Sequence, residues 1–489
     1  MVIQLRCSRF SPIFCAALGT AAGFYLCSVR LPIWLLSVLL VMAAALCFFY
    51  VLFSLYPWHR SLRLTVMYSA AVVAGLVLGI SAASAGRNVV KFALPEDRIT
   101  GIEGILLEDP RIISGNRAMA VLSLRRCTGA GGLRASGSGD LTVFFPEESA
   151  VRIREFGRGT VIFTEGKLRH AEAGWTFGAE SLHIVKPAPA IERMRTSIRL
   201  NLIDRFYGKN WGGLALAMLI GVRDNLDTNL TAMYRNAGLS YILALSGMHL
   251  AVLVSLITFL LKKPLGLKPA AIAGALIICL YCFFVGPMPS LNRAAIMYLL
   301  GVLAILGALP RESMSVLALS FLIQIIISPA SGNTISFILS YLAMLGILIV
   351  GKPLRFLFSG RIPDFLLNPL VVSCGAFLAT AGVTCYVFGI IAPAGIIAGL
   401  VVVPATTVFM IGSIIWLVLD MFSFSGFLNF PMTLFYQFME QTVFLTGRAP
   451  GISPARPFLV IGISMALSLL IVALEYRRRT AMLRLQPFS

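Results

Sequence analysis

Along most of the chain the apolar residues come in runs near twenty long, the length that crosses a bilayer core as helix, cut by short polar or basic breaks. Three such runs open the sequence, at about 11–29, 32–56 and 64–85. A second block holds nine more, near 239–261, 269–285, 290–309, 313–328, 334–351, 367–389, 391–419, 424–446 and 457–475. Twelve spans is the fullest count. The run at 424–446 is the weakest, and Pro404 is expected to break the run at 391–419. Ten or eleven spans fit the pattern as well.

Between the two blocks the period changes. Ile99–Leu107, Ala118–Arg125, Leu141–Phe145, Thr160–Arg169 and Trp175–Val185 read as five short strands separated by turn signals such as Ser114-Gly115-Asn116. Five strands in about a hundred residues suit a small Greek-key barrel of the OB type; an SH3-like barrel or a sandwich would show the same pattern. Ile191, Met194, Ile198, Leu202 and Phe206 then recur at helical steps, interleaved with Arg193, Arg195, Arg199, Arg205 and Lys209. That spacing predicts a basic amphipathic helix lying in the membrane interface.

The predicted fold is therefore a polytopic α-helical membrane protein of about 10–12 transmembrane helices with an inserted small all-β, OB-like extracytoplasmic domain. Residues 1–86 form an N-terminal membrane segment of three helices, and 87–190 form the β domain. Residues 191–238 form interfacial helices, 239–476 a membrane bundle and 477–489 a basic cytoplasmic tail.

Composition agrees: 58% of residues are hydrophobic and 12% charged, against roughly 25% charged in soluble domains, which excludes soluble globular and disordered classes. The net charge is +19, and most of the excess lies in loops between spans. Lys262, Lys263, Lys268, Arg311, Lys352, Arg355, Arg361 and the cluster Arg477, Arg478, Arg479 and Arg484 all fall cytoplasmic when 87–210 is outside. A high positive charge of this kind orients a membrane protein and does not by itself show nucleic-acid binding. Cys127 is the one cysteine of the soluble segment, so no disulfide closes there. The four histidines, His59, His170, His183 and His249, are too scattered for a metal cluster. The Gly-Lys pairs at 166, 208 and 351 lack the rest of a phosphate loop. No metal, cofactor or motor is expected.

The most informative local stretch is Gly238-Leu239-Ser240-Tyr241-Ile242-Leu243-Ala244-Leu245-Ser246-Gly247-Met248-His249-Leu250 at the opening of an apolar span. Ser246 and His249 are three apart and would share a helix face. Polar groups inside a bilayer face a bundle interior or a wet path. A serine bonded to its own backbone with a histidine near the interface reads the same way. A Ser–His hydrolase lacks a nearby acid to orient the histidine.

These residues resemble the signature of the ComEC family, the competence channels of transformable bacteria. Further stretches agree in order: Arg235-Asn236-Ala237; Pro289-Ser290-Leu291-Asn292-Arg293-Ala294-Ala295-Ile296-Met297; Ser328-Pro329 followed by Ser336-Phe337-Ile338-Leu339-Ser340-Tyr341-Leu342-Ala343; Gly395 through Pro404; and Gly157–Leu168 in the OB-like segment. The resemblance runs from the N-terminus to about residue 475. It departs at Tyr241, where the family usually has His, at Gly399, near a usual Asn, and at Val222, near a usual acidic residue. The metallo-β-lactamase-like domain of many members has no counterpart after the last span.

The resemblance implies an inner-membrane channel carrying single-stranded DNA into the cytoplasm during natural transformation, and no enzymatic activity. It would work with a separate DNA receptor, cytoplasmic ATPase and nuclease, and a homo-oligomer is compatible with it. Ser246, His249 and Arg293 would line the polar face of the pore. In the OB-like domain Arg111, Arg117, Arg125 and Arg126 are candidate phosphate contacts. Trp175, with Phe144, Phe145 and Phe163, is a candidate stacking platform or else barrel core. Two other classes remain open from the residues alone. One is a membrane-embedded enzyme built on Ser246, His249, Arg293, Asp420 and Glu440. The other is a small-molecule secondary transporter, for which no inverted repeat is evident.

Overall fold

A computed structural model describes residues 11–27, 60–86, 90–113, 117–129, 131–171, 174–224, 226–243, 245, 247–309, 312–448, 451–452 and 457–485. The expected span at 32–56 lies outside these residues, as do Ser246 and Arg311. The chain divides into a membrane unit, of residues up to 87, 228–282 and 288 onward, and a soluble unit of 88–227 with 283–287.

The membrane unit begins with α1 (Pro12–Leu26) and α2 (Arg60–Ala85). Ser11 caps α1 by accepting from the Phe14 amide, with Pro12 at the first helical position. The two helices approach backbone to backbone. A Cβ on Gly19, Gly23, Gly75 or Gly79 would run into the carbonyl oxygen of Val72, Leu76, Ala16 or Thr20 respectively. Two glycines four apart on each helix thus form a small-residue seam, the contact that lets helices associate in lipid without a hydrophobic drive.

In the soluble unit the chain lays down β1 (Lys91–Phe92), β2 (Ile99–Leu106), β3 (Arg111–Ile113), β4 (Arg117–Gly129), β5 (Arg134–Ser138) and β6 (Asp140–Phe145). After the short helix α3 (Glu147–Ile153) come β7 (Val161–Ala171), β8 (Gly174–Ala179) and β9 (His183–Lys186). Strands β4, β2, β7, β8 and β6 pair in that order, and β6 pairs back on β4 to close a five-stranded barrel. All contacts in the ring are antiparallel except the parallel β6–β8 pair. With α3 standing between the third and fourth barrel strands, this is OB topology. The inward positions of the alternating runs (Ile102, Leu106, Leu122, Leu141, Val143, Phe145, Ile162 and Phe177) make the core.

The five expected strands are the five of the barrel, the last run dividing into β8 and β9. Sequence pattern missed β1, β3, β5 and α3. The rim strands β1 and β5 add to overhangs of the barrel and bury little, so they carry no clean alternation.

The soluble unit ends with α4 (Ala190–Phe206) and α5 (Gly212–Ile220). Along α4 the apolar Ile191, Met194 and Ile198 are exposed together on one side, and Arg195, Thr196, Ile203 and Phe206 are buried. Arg195 turns inward because a carboxylate distant in sequence, Asp109, awaits it there, a pairing that helical periodicity cannot show.

The membrane unit resumes with α6 (Thr228–Asn236), α7 (Ser240–Leu243), α8 (Gly247–Leu265), α9 (Leu267–Val285), α10 (Pro289–Leu306), α11 (Ser313–Ile327) and α12 (Ile335–Gly346). A π-helical turn, Ile347–Gly351, joins α12 to α13 (Lys352–Phe358). The chain closes with α14 (Asp364–Phe388), α15 (Ala394–Asp420), α16 (Gly426–Gly447) and α17 (Pro457–Leu485).

Among the described residues eight helical stretches are long and apolar enough to cross a membrane, and α1 and α11 are shorter apolar helices. The chain is a multi-pass membrane protein. The run at 424–446 forms α16 but is not among the eight; Asn429, Gln437, Glu440 and Gln441 interrupt its apolar surface. Pro404 does not break α15. The helix runs through it, losing only the bond from residue 404 to the Leu400 carbonyl, and Thr406 and Thr407 donate to the Val402 and Val403 carbonyls of the same helix at 2.6 and 3.1 Å. The signature span likewise differs from expectation. It is two helices, α7 and α8, with Leu245 between them in neither, so the polar signature falls at a helix start rather than inside one helix.

Candidate functional site: a polar seam among membrane helices

Helix α10 starts where Gly286-Pro287-Met288-Pro289 forces it to. Met288 is extended, and Pro289 at the first helical position has the φ a helix needs and no amide to leave unbonded. Ser290 and Arg293 therefore occupy the first turn or so of α10. The Ser290 hydroxyl donates at 2.8 Å to the Leu245 carbonyl, two residues ahead of α8.

Arg293 donates through Nε to the Ser340 hydroxyl on α12 at 2.8 Å and through Nη1 to Met297 Sδ at 3.4 Å. Its guanidinium carbon lies 5.9 Å from the Tyr341 ring centroid. A Cβ on Gly247 would stand 3.0 Å from Arg293 Nη2, so the first residue of α8 is glycine where the guanidinium passes.

From there polar contacts continue through the interior. The Tyr341 hydroxyl donates to Gln324 Oε1 at 2.9 Å, and Gln324 Nε2 donates to the Pro289 carbonyl at 3.0 Å. Ser320 lies 3.4 Å from the Tyr341 hydroxyl. Helices α10, α11 and α12 are thus joined by a chain of neutral donors and acceptors around one cation. Among the described residues Arg293 has only neutral partners. The starts of α8 and α10 meet beside it, and each carries the partial positive charge of unpaired amides. Helix starts and an arginine are groups that attract anions.

Of the expected polar-face residues, Arg293 stands at this junction. His249 sits in the first turn of α8 and is only 2% exposed; Ser246 lies outside the described residues. Sequence reading passed over Gln324 and the Ser340–Tyr341 pair. The signal was available for Gln324, the one amide in the apolar run Ser313–Ile327, since such a group needs a partner inside a membrane.

The other end of the signature meets α15. Gly238, at φ +71°, and Gly395 lie so close that a Cβ on either would stand 2.9 Å from a backbone oxygen of the other's segment. One turn on, a Cβ on Gly399 would stand 3.2 Å from the Tyr241 hydroxyl. Two of the three departures from the ComEC pattern, Tyr241 and Gly399, therefore face each other, a large side chain opposite the space a glycine leaves.

The soluble unit offers a second surface. Register across β4, β6, β8 and β7 sets Met119, Phe144, Gly178 and Lys167 in one row and Val121, Thr142, Thr176 and Arg169 in the next. All face outward, opposite the core. An aromatic ring, an open glycine and two cations on one sheet face suit a stacked base with its phosphates.

The arginines expected to bind are more dispersed. Arg111 pairs with Glu108 at 2.7 Å, and Arg126 lies 3.8 Å from Glu103. Arg117 and Arg125 are exposed at separated points of β4, eight residues or roughly 27 Å apart along an extended strand. Arg125 occupies the irregularity where the β2–β4 register shifts. Trp175 shares the inward parity of Phe177. It packs on the core margin with its ring edge-to-face against Phe92 and His170, at 5.7 and 4.6 Å between centroids. Phe145 is wholly buried core.

Comparison with known proteins adds the lineage. An uncharacterized protein of Aquifex aeolicus (strain VF5) is 29% identical over 199 residues, which cover 39% of this chain and 46% of that one, so the match spans about half the relative's length. The family model described as Competence protein matches residues 218–479, more than half of the chain and all of the polar seam. The protein therefore belongs to the competence-protein family.

Proposed function

We propose that the protein is a bacterial inner-membrane channel that passes single-stranded DNA into the cytoplasm during natural transformation. The observation that carries this reading is the half-buried cation Arg293, held by neutral partners where two helix starts converge inside a membrane unit. A site of that kind attracts phosphate without the carboxylate that would neutralise it. Having one cation and several weak neutral groups, it also lets a strand leave. The Phe144, Lys167 and Arg169 surface of the OB-like domain would present the strand, with Arg111, Arg117, Arg125 and Arg126 adding longer-range attraction.

In this reading residues 87–210 lie outside the cytoplasm, and the basic loops at Lys262–Lys268 and Lys352–Arg361 and the C-terminal cluster lie inside. Ser246 and His249 belong to the same path as Arg293. Strand pulling, strand degradation and duplex capture fall to separate proteins. The test is a deletion strain given labelled DNA, with surface-bound and nuclease-protected cytoplasmic label measured separately. Loss of the cytoplasmic fraction with surface binding kept is expected. Unchanged cytoplasmic label in the deletion strain would refute the proposal.

A further inference from the structure

The outward row of the barrel sheet does not end at Met119. On its other side Met119 pairs with Arg111, so the row runs Arg111, Met119, Phe144, Gly178, Lys167 across β3, β4, β6, β8 and β7. Residues paired across strands share a face, and Arg111 is exposed. Five strands spaced about 4.8 Å apart set the two cationic ends about 19 Å from each other along the sheet, with Phe144 on the middle strand.

A second arginine is fixed beside Arg111. Helix α5 ends at Gly221, whose φ of +73° turns the chain back. The Val222 amide donates to the Leu216 carbonyl at 3.3 Å, and its side chain is buried. Two residues on, Asp224 accepts from the Ile112 amide of β3 and lies 3.3 Å from Arg154. Arg223 stands between these two anchors, exposed, and close enough to Arg111 for the two charges to repel.

Among the described residues no carboxylate pairs with Arg223. Arg111 has Glu108 at 2.7 Å, an exposed pair that water weakens. Like charges held side by side raise the free energy of a fold, and the local chain does not require an arginine at 223, since Val222 and Asp224 make the anchoring contacts. One anion between the two guanidinium groups removes the repulsion and gives each a charge-assisted hydrogen bond. A phosphodiester suits the place, with one negative charge and two non-bridging oxygens, one for each arginine.

We infer that Arg111 and Arg223 form a clamp for one backbone phosphate, and that a single strand crosses the barrel along this row. Lys167 and Arg169 hold it at one end, the clamp holds it at the other, and a base stacks on Phe144 between them. That the phosphate belongs to DNA rests on the channel reading; the pairing of the arginines does not.

The test measures binding of a labelled single-stranded oligonucleotide to the purified full chain in neutral detergent across a salt series, for Arg223→Gln, Arg111→Gln and the double variant. A clamp on one phosphate is lost with either arginine. Each single variant should therefore lower the salt slope by about 0.7, the value for one phosphate of a single strand, and the double variant should lower it by no more. The thermal midpoint of Arg223→Gln should hold or rise, since a repulsion is removed. Nanodiscs of neutral lipid and of lipid with anionic headgroups should show the same difference between wild type and variants.

A drop of about 1.4 in the double variant means two independent contacts and overturns the clamp. So do unchanged slopes where Phe144→Ala still weakens binding, which would leave the Phe144 face standing alone. A lower midpoint in both single variants, or failure of both to accumulate, makes the arginines structural and overturns the inference. A difference that vanishes in anionic nanodiscs assigns them to lipid headgroups and overturns it as well. Normal import in the deletion strain would defeat the channel reading and leave the clamp in place.

Discussion

Replacing Arg293 by alanine isolates the charge at the polar seam. A phosphate about 4 Å from a unit charge at an effective dielectric near 20 gains about 4 kcal/mol. The two helix starts contribute about 0.3–1 kcal/mol each and survive the substitution. Because Ser340 and Met297 already hold the guanidinium, the fold has met its ordering and desolvation cost before a strand arrives. The alanine variant should therefore lose most of that 4 kcal/mol, a drop of roughly a thousandfold in occupancy at this point at 1.4 kcal/mol per tenfold. Water entering the vacated space offsets part of the loss, so import should fall by about a hundredfold or more.

Arg293→Lys keeps the charge but cannot donate to Ser340 while facing the path; a loss of about tenfold is expected. Ser340→Ala removes only the acceptor and should cost less. Import is measured as nuclease-protected label per cell, normalised to membrane abundance and to surface-bound DNA. Import at the wild-type rate in Arg293→Ala at normal abundance would refute the reasoning. Equal loss in the alanine and lysine variants would show that geometry, not charge, is at stake.

Three further outcomes are expected. Phe144→Ala should weaken binding of a labelled single-stranded oligonucleotide to the purified chain by about 1–3 kcal/mol; Lys167→Ala with Arg169→Ala should lower the salt slope by about 1.4, both read by fluorescence anisotropy across a salt series. Gly75→Leu cannot keep the α1–α2 backbone contact, and overpacking of this kind costs about 1–3 kcal/mol; lower membrane abundance and a lower midpoint in thermal size-exclusion assays should follow. Burial pushes the Cys127 thiol up to about 11, so at pH 8 a maleimide should leave it unmodified in the folded protein and label it after denaturation, by peptide mapping.

The barrel was legible because each of its strands buries one face, and a period of two survives in β2, β4, β6 and β7 whatever their partners. What could not be read is what those faces meet. Arg193 and Arg195 look alike on paper, and only Asp109, 86 residues before Arg195, decides which of them turns inward. The polar seam was half legible. Arg293 stood out as a charge within an apolar run, while Tyr341 passed as one more aromatic until Gln324 was found against its hydroxyl. Pro404 misled because a proline removes one amide, and the rest of the helical ladder can form on either side of it.

The seam between α1 and α2 bears on synthesis. Tyr25 donates to the Gly332 carbonyl, and Ser11 meets Ser315, across separations of 307 and 304 residues. Ribosomes add about 5–20 residues per second, so the first helices wait roughly 15–60 s in the bilayer before the partners that finally cover them exist. Two helices that fit each other through their own glycines have no need of those partners in the interval. Once both are in the bilayer they can hold one another against unrelated segments and receive α11 and α12 as a preformed docking face.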